Sequence, residues 1–267
     1  MKTGFEKAAG GFMELASEQR LEILSKIQKE PVKISQIAKD LGATVPEVFR
    51  NFKRLVKADL ISKNSDGTYS ITAIGKIFYS QVSLIDFLSN NKKYFMEHNF
   101  DQLPSRYIKM IGGLEKGQFV KGFVKVQDIW KKISSDAEKY ICNILFEVSY
   151  SQDIMEILVK KIDCGVKIQS IFSEQAIISN DRKQVLDKYG LKEMVQQGKI
   201  ERRMKENVKT LVILNEKEAC VMFPIAGGDV DMSQAFFSDD SEFHEWCHDY
   251  FQHCWQDASM FRENKLK

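Results

Sequence analysis

Four prolines and fifteen glycines in 267 residues are too few for a fibrous or low-complexity chain. Apolar runs such as 211–214 and 221–223 fall far short of the roughly 20 residues that span a bilayer, so no transmembrane helix is expected. No signal-peptide pattern opens the chain, and cysteine is sparse. Cys142, Cys164, Cys220, Cys247 and Cys254 form an odd, scattered set. Free thiols in a reducing cytoplasm are expected in place of a disulfide framework. Gly-rich phosphate cradles and G-x-S-x-G elbows are also missing. Gly227-Gly228 lacks the following helix and lysine of a P-loop and reads as loop, with Asp229 and Asp231 beside it as a solvated turn. No cofactor is expected.

What is present is a globular composition, 43% hydrophobic and 28% charged, with enough apolar residues for one or two cores. The net charge of +2 hides an uneven distribution. Residues 1–80 hold 13 Lys or Arg against 9 Asp or Glu, leaving 26 against 28 for the remainder. The basic excess therefore sits at the N-terminal end, where a polyanionic partner would be met.

That end reads as helix, helix, turn, helix and hairpin. Leu21, Leu24 and Ile27 repeat at helical spacing after a Ser17 cap until Pro31. A short helix follows a Ser35 cap and ends at Gly42. Thr44 then caps a third helix, Val45 to Ala58, with Pro46 in its first turn and Glu47 completing a capping box. Val45, Val48, Phe49, Phe52, Leu55 and Val56 are expected to face the core, and Arg50, Lys53, Arg54 and Lys57 to form an opposite basic stripe. Runs at 60–63 and 68–71 flank Asn64-Ser65-Asp66-Gly67, a hairpin signal. This is a winged helix-turn-helix whose third helix would enter the DNA major groove. Lys53, Arg54, Lys57 and Lys63 are the expected phosphate contacts. Ser35, Thr44, Pro46, Glu47, Arg50, Asn51 and wing-tip Asn64 complete the candidate DNA-binding set, those near the helix start being suited to base edges. A further helix from Thr72 carries Ile74, Ile77, Phe78, Ile85 and Leu88, a stripe long enough to need a partner subunit, hence a homodimer on a roughly palindromic site.

The segments 15–24, 44–51 and 55–61 resemble archaeal winged-helix regulators related to the ArsR-like group. The resemblance implies double-stranded DNA as partner and a role in transcription regulation.

The polar stretch 89–93 marks a boundary near 95. This gives a two-domain α/β chain, with a winged helix-turn-helix and dimerisation helix over 1–95 and an α/β effector domain with a mixed sheet over 96–267. Within the second domain, 140–148 reads as strand, 153–162 as helix, 166–172 as strand and 181–189 as helix. Strands follow at 200–204, 210–214 and 219–223, while 119–133 and 241–261 read as helices. The region 94–258 resembles the effector domains of methanogenesis-regulator and TrmB-like proteins, most clearly over 208–219. That resemblance implies a phospholipase-D-like fold and a small-molecule effector. The phospholipase D reaction needs a His with Lys two positions on, whereas the four histidines here precede Phe100, Trp246, Tyr250 and Trp255 at that spacing. No enzyme is expected.

His244, Cys247, His248 and Cys254 share one helix and could offer soft metal ligands or a thiol sensor. The same helix also has a buried stripe in which both thiols act as small core hydrophobes. A winged fold used only for protein contacts is the other alternative.

Overall fold

The computed structural model describes residues 4–100, 103–148, 151–178 and 182–263. Two compact units divide the chain, Met1–Ile85 and Asp86–Lys267.

The first unit opens with α1 (Glu6–Leu15), which the sequence pattern did not reveal, then α2 (Glu18–Lys29), α3 (Ile34–Asp40) and α4 (Val45–Lys57). The hairpin strands β1 (Ile61–Lys63) and β2 (Tyr69–Ile71), then α5 (Ala73–Tyr79) and α6 (Val82–Asn90), complete it, the last crossing the division. Ile23, Leu24, Ile37, Val48, Phe52 and Leu55 form the core, and the Phe52 ring meets Tyr69 edge-on at 4.8 Å. Arg20 is buried because it donates to the Glu14 and Met13 carbonyls (2.7 and 2.8 Å) that end α1. Gly42 takes the left-handed conformation (φ +59°) between α3 and α4.

Three local expectations are corrected here. Ser35 lies inside α3, whose N-cap is Lys33. The capping box is not made, since the Thr44 side chain forms no capping bond and Glu47 accepts from Gln19 Nε2 at 3.2 Å. The helix from Thr72 begins as expected, with Thr72 Oγ1 accepting from Gly75 N (2.9 Å), but it breaks at Ser80–Gln81 into α5 and α6. Gly75 itself allows a close approach, because a Cβ there would fall 2.0 Å from the Leu60 carbonyl oxygen.

The second unit runs α7 (Lys92–Glu97), α8 (Ser105–Lys109), a 3-10 turn (Ile111–Leu114), β3 (Gln118–Lys121), α9 (Phe123–Asp136), β4 (Tyr140–Val148), α10 (Gln152–Asp163) and β5 (Lys167–Ile178). It continues with α11 (Arg182–Lys188), α12 (Leu191–Gln196), β6 (Ile200–Lys205), β7 (Leu211–Leu214), β8 (Ala219–Met222), β9 (Gln234–Ser238), α13 (Ser241–Asp257) and β10 (Ser259–Met260). Asp181, the expected start of one helix, lies outside the described residues. The eight strands form one mixed sheet in the order β10-β6-β5-β4-β7-β8-β9-β3. β4, β5 and β6 are parallel, as helical crossovers require, and the remaining pairs are antiparallel.

Residues 119–121, expected to begin a helix, pair with β9 instead as part of β3, and Gly122 (φ +120°) turns the chain into α9. The closing helix stops at Asp257, and Ser259–Met260 return to pair with β6. The polar 89–93 stretch is no linker. It is the outer surface of α6 and α7, whose Phe87 and Tyr94 are buried against Phe236 (5.2 and 4.9 Å between ring centres). That burial draws residues 86–95 into the second unit, so the division falls before residue 95.

Candidate nucleic-acid interface

Helix α4 advances about 100° per residue, so Val48, Phe52 and Leu55, at i, i+4 and i+7, form one narrow buried line. Val45, Phe49 and Val56, expected in the core, lie farther around and are 51%, 43% and 38% exposed. The unit is too small to cover more than one face of the helix. Its outward surface is therefore mixed, with Val45, Pro46 and Phe49 near the start followed by the exposed cations Arg50, Lys53, Arg54 and Lys57. Lys53 Nζ stands 5.5 Å from the Phe49 ring centre.

The candidate residues differ in how free they are. Asn51 is half-buried and its Nδ2 donates to Gln19 Oε1, while Gln19 Nε2 reaches Glu47. Gln19, on α2, thus holds two of the expected base-edge residues in place. Arg54 is paired with Glu14 of α1 at 2.7 Å. Neither Gln19 nor Glu14 is marked by any motif, because each acts across more than 25 residues of chain. Between α1 and α4 a cleft of about 630 Å³ is lined by Lys7, Arg54 and Lys57, with Glu14 as its acidic member.

In the wing, Lys63 is exposed. Asn64 is committed to the turn, its Nδ2 donating to Thr68 Oγ1 and Ser70 Oγ, both at 2.8 Å. Asp66 Oδ1 accepts from Thr68 N (3.0 Å) and Oγ1 (2.6 Å), and these bonds hold its carboxyl below the usual range. Ser35 is exposed on α3, and Thr44 is exposed with its hydroxyl unspent on capping. Together α4 and the hairpin carry donors suited to phosphate and base edges beside an apolar strip.

The second candidate cluster has a different environment. Cys247 and Cys254 are buried on α13, and burial pushes the Cys247 thiol well up and the Cys254 thiol to about 11. Both are therefore thiols, poor ligands and poor nucleophiles. His244 Nε2 lies 2.6 Å from the Asn215 carbonyl oxygen, and the His244 and His248 rings stack at 6.1 Å. Among the described residues no group of three His, Cys, Asp or Glu side chains could hold a metal ion. No described helix is long and apolar enough to cross a membrane.

Residues 17–63 match the family model described as bacterial regulatory protein, arsR family. No curated protein matches the chain. Among solved structures, TrmBL2, an archaeal chromatin protein, is similar over 91% of this chain and 92% of its own, with 11% identity and a TM-score of 0.43. Nuc, a phospholipase D family member from Salmonella typhimurium, is similar over 55% of this chain and 99% of its own, with 14% identity and a TM-score of 0.40. NucT from Helicobacter pylori gives 14% identity, the same coverage and a TM-score of 0.41. The matched segment spans α2 to the end of β1, the helices and first wing strand described above. Residues 17–63 are thus similar to the arsR family in sequence and form a helix-turn-helix with the first strand of a hairpin.

Proposed function

We propose that this chain is a sequence-specific, DNA-binding transcriptional regulator without enzymatic activity, acting as a homodimer under the control of a small molecule bound by its second unit. The outward face of α4 carries this reading. It is exposed along its whole length and basic from Arg50 to Lys57, on a helix of the arsR-type module.

Lys53, Lys57 and Lys63 are exposed and offer their ammonium groups to phosphate, and Arg54 joins them on leaving Glu14. Arg50, with Asn51 and Glu47 held by Gln19, faces base edges. Val45 and Phe49 offer the apolar surface that fits thymine methyl groups. Homodimerisation has support in Ile74, Ile77 and Ile85, which are exposed apolar side chains of α5 and α6, as are Phe5, Phe12 and Met13 of the N-terminal end. Phe78, expected in that stripe, instead packs on the N-terminal core.

The test is binding to a selected duplex and to random DNA across a salt series. Arg50→Ala is expected to lose the preference for the selected site. Lys57→Ala is expected to weaken both duplexes alike and flatten the salt dependence by about one unit of slope. Equal losses for both variants on both duplexes refute the division of roles, and no binding at moderate salt refutes the function.

A further inference from the structure

A cavity of about 90 Å³ lies between the β4–β5–β6 face of the sheet and helices α9, α10 and α12. Its wall is mostly apolar, with Leu145, Ile154, Met155 and Phe172 prominent. Trp130, Asn143, Ser170 and Arg202 are its polar members. Trp130 Nε1, on α9, and Asn143 Oδ1, on β4, are buried and have no hydrogen-bond partner among the described residues. The two side chains are only 6% and 4% exposed.

Protein interiors pair nearly all such groups, because an unpaired buried donor or acceptor has lost water and gained nothing. Asn143 is doubly out of place. It lies between Ile141 and Leu145 on one face of a central strand, where alternation calls for an apolar side chain. One donor and one acceptor without partners among the described residues, in a mostly apolar wall, favour a particular occupant. Its body is apolar, and it carries one group that both accepts and donates, as a hydroxyl or a carboxamide does. At about 90 Å³ the cavity is smaller than the roughly 150 Å³ cavity that takes up one benzene ring, so its occupant is at most about the size of a single ring.

We infer that this cavity is the ligand site of the second unit, taking a small neutral molecule whose single hydroxyl or carboxamide accepts from Trp130 Nε1 and donates to Asn143 Oδ1. The inference rests on the proposed reading of that unit as the sensing half and gives it a location and a ligand class. Arg202 also borders the cavity, so charge is tested as well as polarity.

Phenol, benzene and benzoate serve as probes, titrated into the full chain by calorimetry. Phenol is expected to bind about tenfold more tightly than benzene, the equivalent of one to two net hydrogen bonds. Asn143→Leu removes the carboxamide at nearly constant shape, and Trp130→Phe removes the indole N–H together with part of the ring, so benzene binding is the control for the added space. Each is expected to abolish the phenol preference while keeping benzene binding, which also reports that the variant is folded. Equal affinity for phenol and benzene, tighter binding of benzoate, or no binding of any probe overturns the site. DNA affinity measured with and without phenol separates the two proposals. Phenol binding to a chain that does not bind DNA supports the cavity and removes the regulator reading. A changed DNA affinity that both cavity variants abolish supports both.

Discussion

At the scale of single residues, the second unit holds a buried pair that no motif announces. His98 is fully enclosed, its Nδ1 2.8 Å from the Tyr94 carbonyl oxygen and its Nε2 2.9 Å from Asp231 Oδ2, with the Tyr94 ring stacked on it at 3.7 Å. Asp231 also accepts from Ser233 Oγ and N, both at 2.7 Å, and from Gln234 Nε2 at 3.1 Å. Burial pushes the Asp231 carboxyl up, but the bonds from Ser233, His98 and Gln234 outweigh it and hold the group below the usual range. A carboxyl whose pKa is depressed by folding stabilises the fold above its unfolded value and loses that contribution as pH falls through its folded one. Asp231→Asn is therefore expected to lower stability near neutral pH by about 1–3 kcal/mol. The gap between parent and variant should close below about pH 4, and urea unfolding across pH measures it. The sequence pattern makes Asp231 a solvated turn residue, since a Gly-Gly-Asp-x-Asp string is loop-like whichever way its carboxylates point. Its partner lies 133 residues away. Gly75 hides equally well, because nothing in its neighbours signals that the Leu60 carbonyl lies against it.

At the scale of elements, α4 separates what the sequence pattern shows from what it conceals. Its length, its start after Thr44 and its basic side are all visible in spacing and composition. The width of its buried face is not, because Val45, Phe49 and Val56 are apolar whether covered or not, and coverage is decided by how few neighbours a small unit supplies. Substitutions read the two faces apart. Phe52→Ala, in the core, is expected to destabilise the chain by about 3–5 kcal/mol. Phe49→Ala, on the outward face, should leave unfolding nearly unchanged and reduce discrimination for thymine-containing sites in competition binding, an outcome opposite to the one its hydrophobicity suggests. The strands divide in the same way. Tyr140–Val148 is legible as a continuous β-prone run, whereas β3 has three of its four residues exposed and exists because β9 offers it an edge.

At the scale of the whole molecule, both proposals concern assembly and control. If α5 and the surface around it form the dimer seam, Ile74→Glu with Ile77→Glu should convert the chain from dimer to monomer in sedimentation and weaken binding to a two-half-site duplex far more than to a single half-site. A parent chain already monomeric under those conditions counts against the seam. The two-domain α/β architecture and the mixed sheet are legible in the alternation of strand and helix patterns, but the sheet's size is not, since its outermost members are short. One of these has an effect beyond its length. Ser259 and Met260 pair with Met204 and Arg203 and so occupy the outer side of β6, the last long strand on that edge. A chain shortened after α13 would bare the Arg203–Met204 stretch of β6 as well, leaving the whole outer side of that strand open to the same strand of another copy. Two residues at the tail thus act as a guard against edge-to-edge aggregation, and light scattering of the shortened chain would reveal how much solubility depends on them.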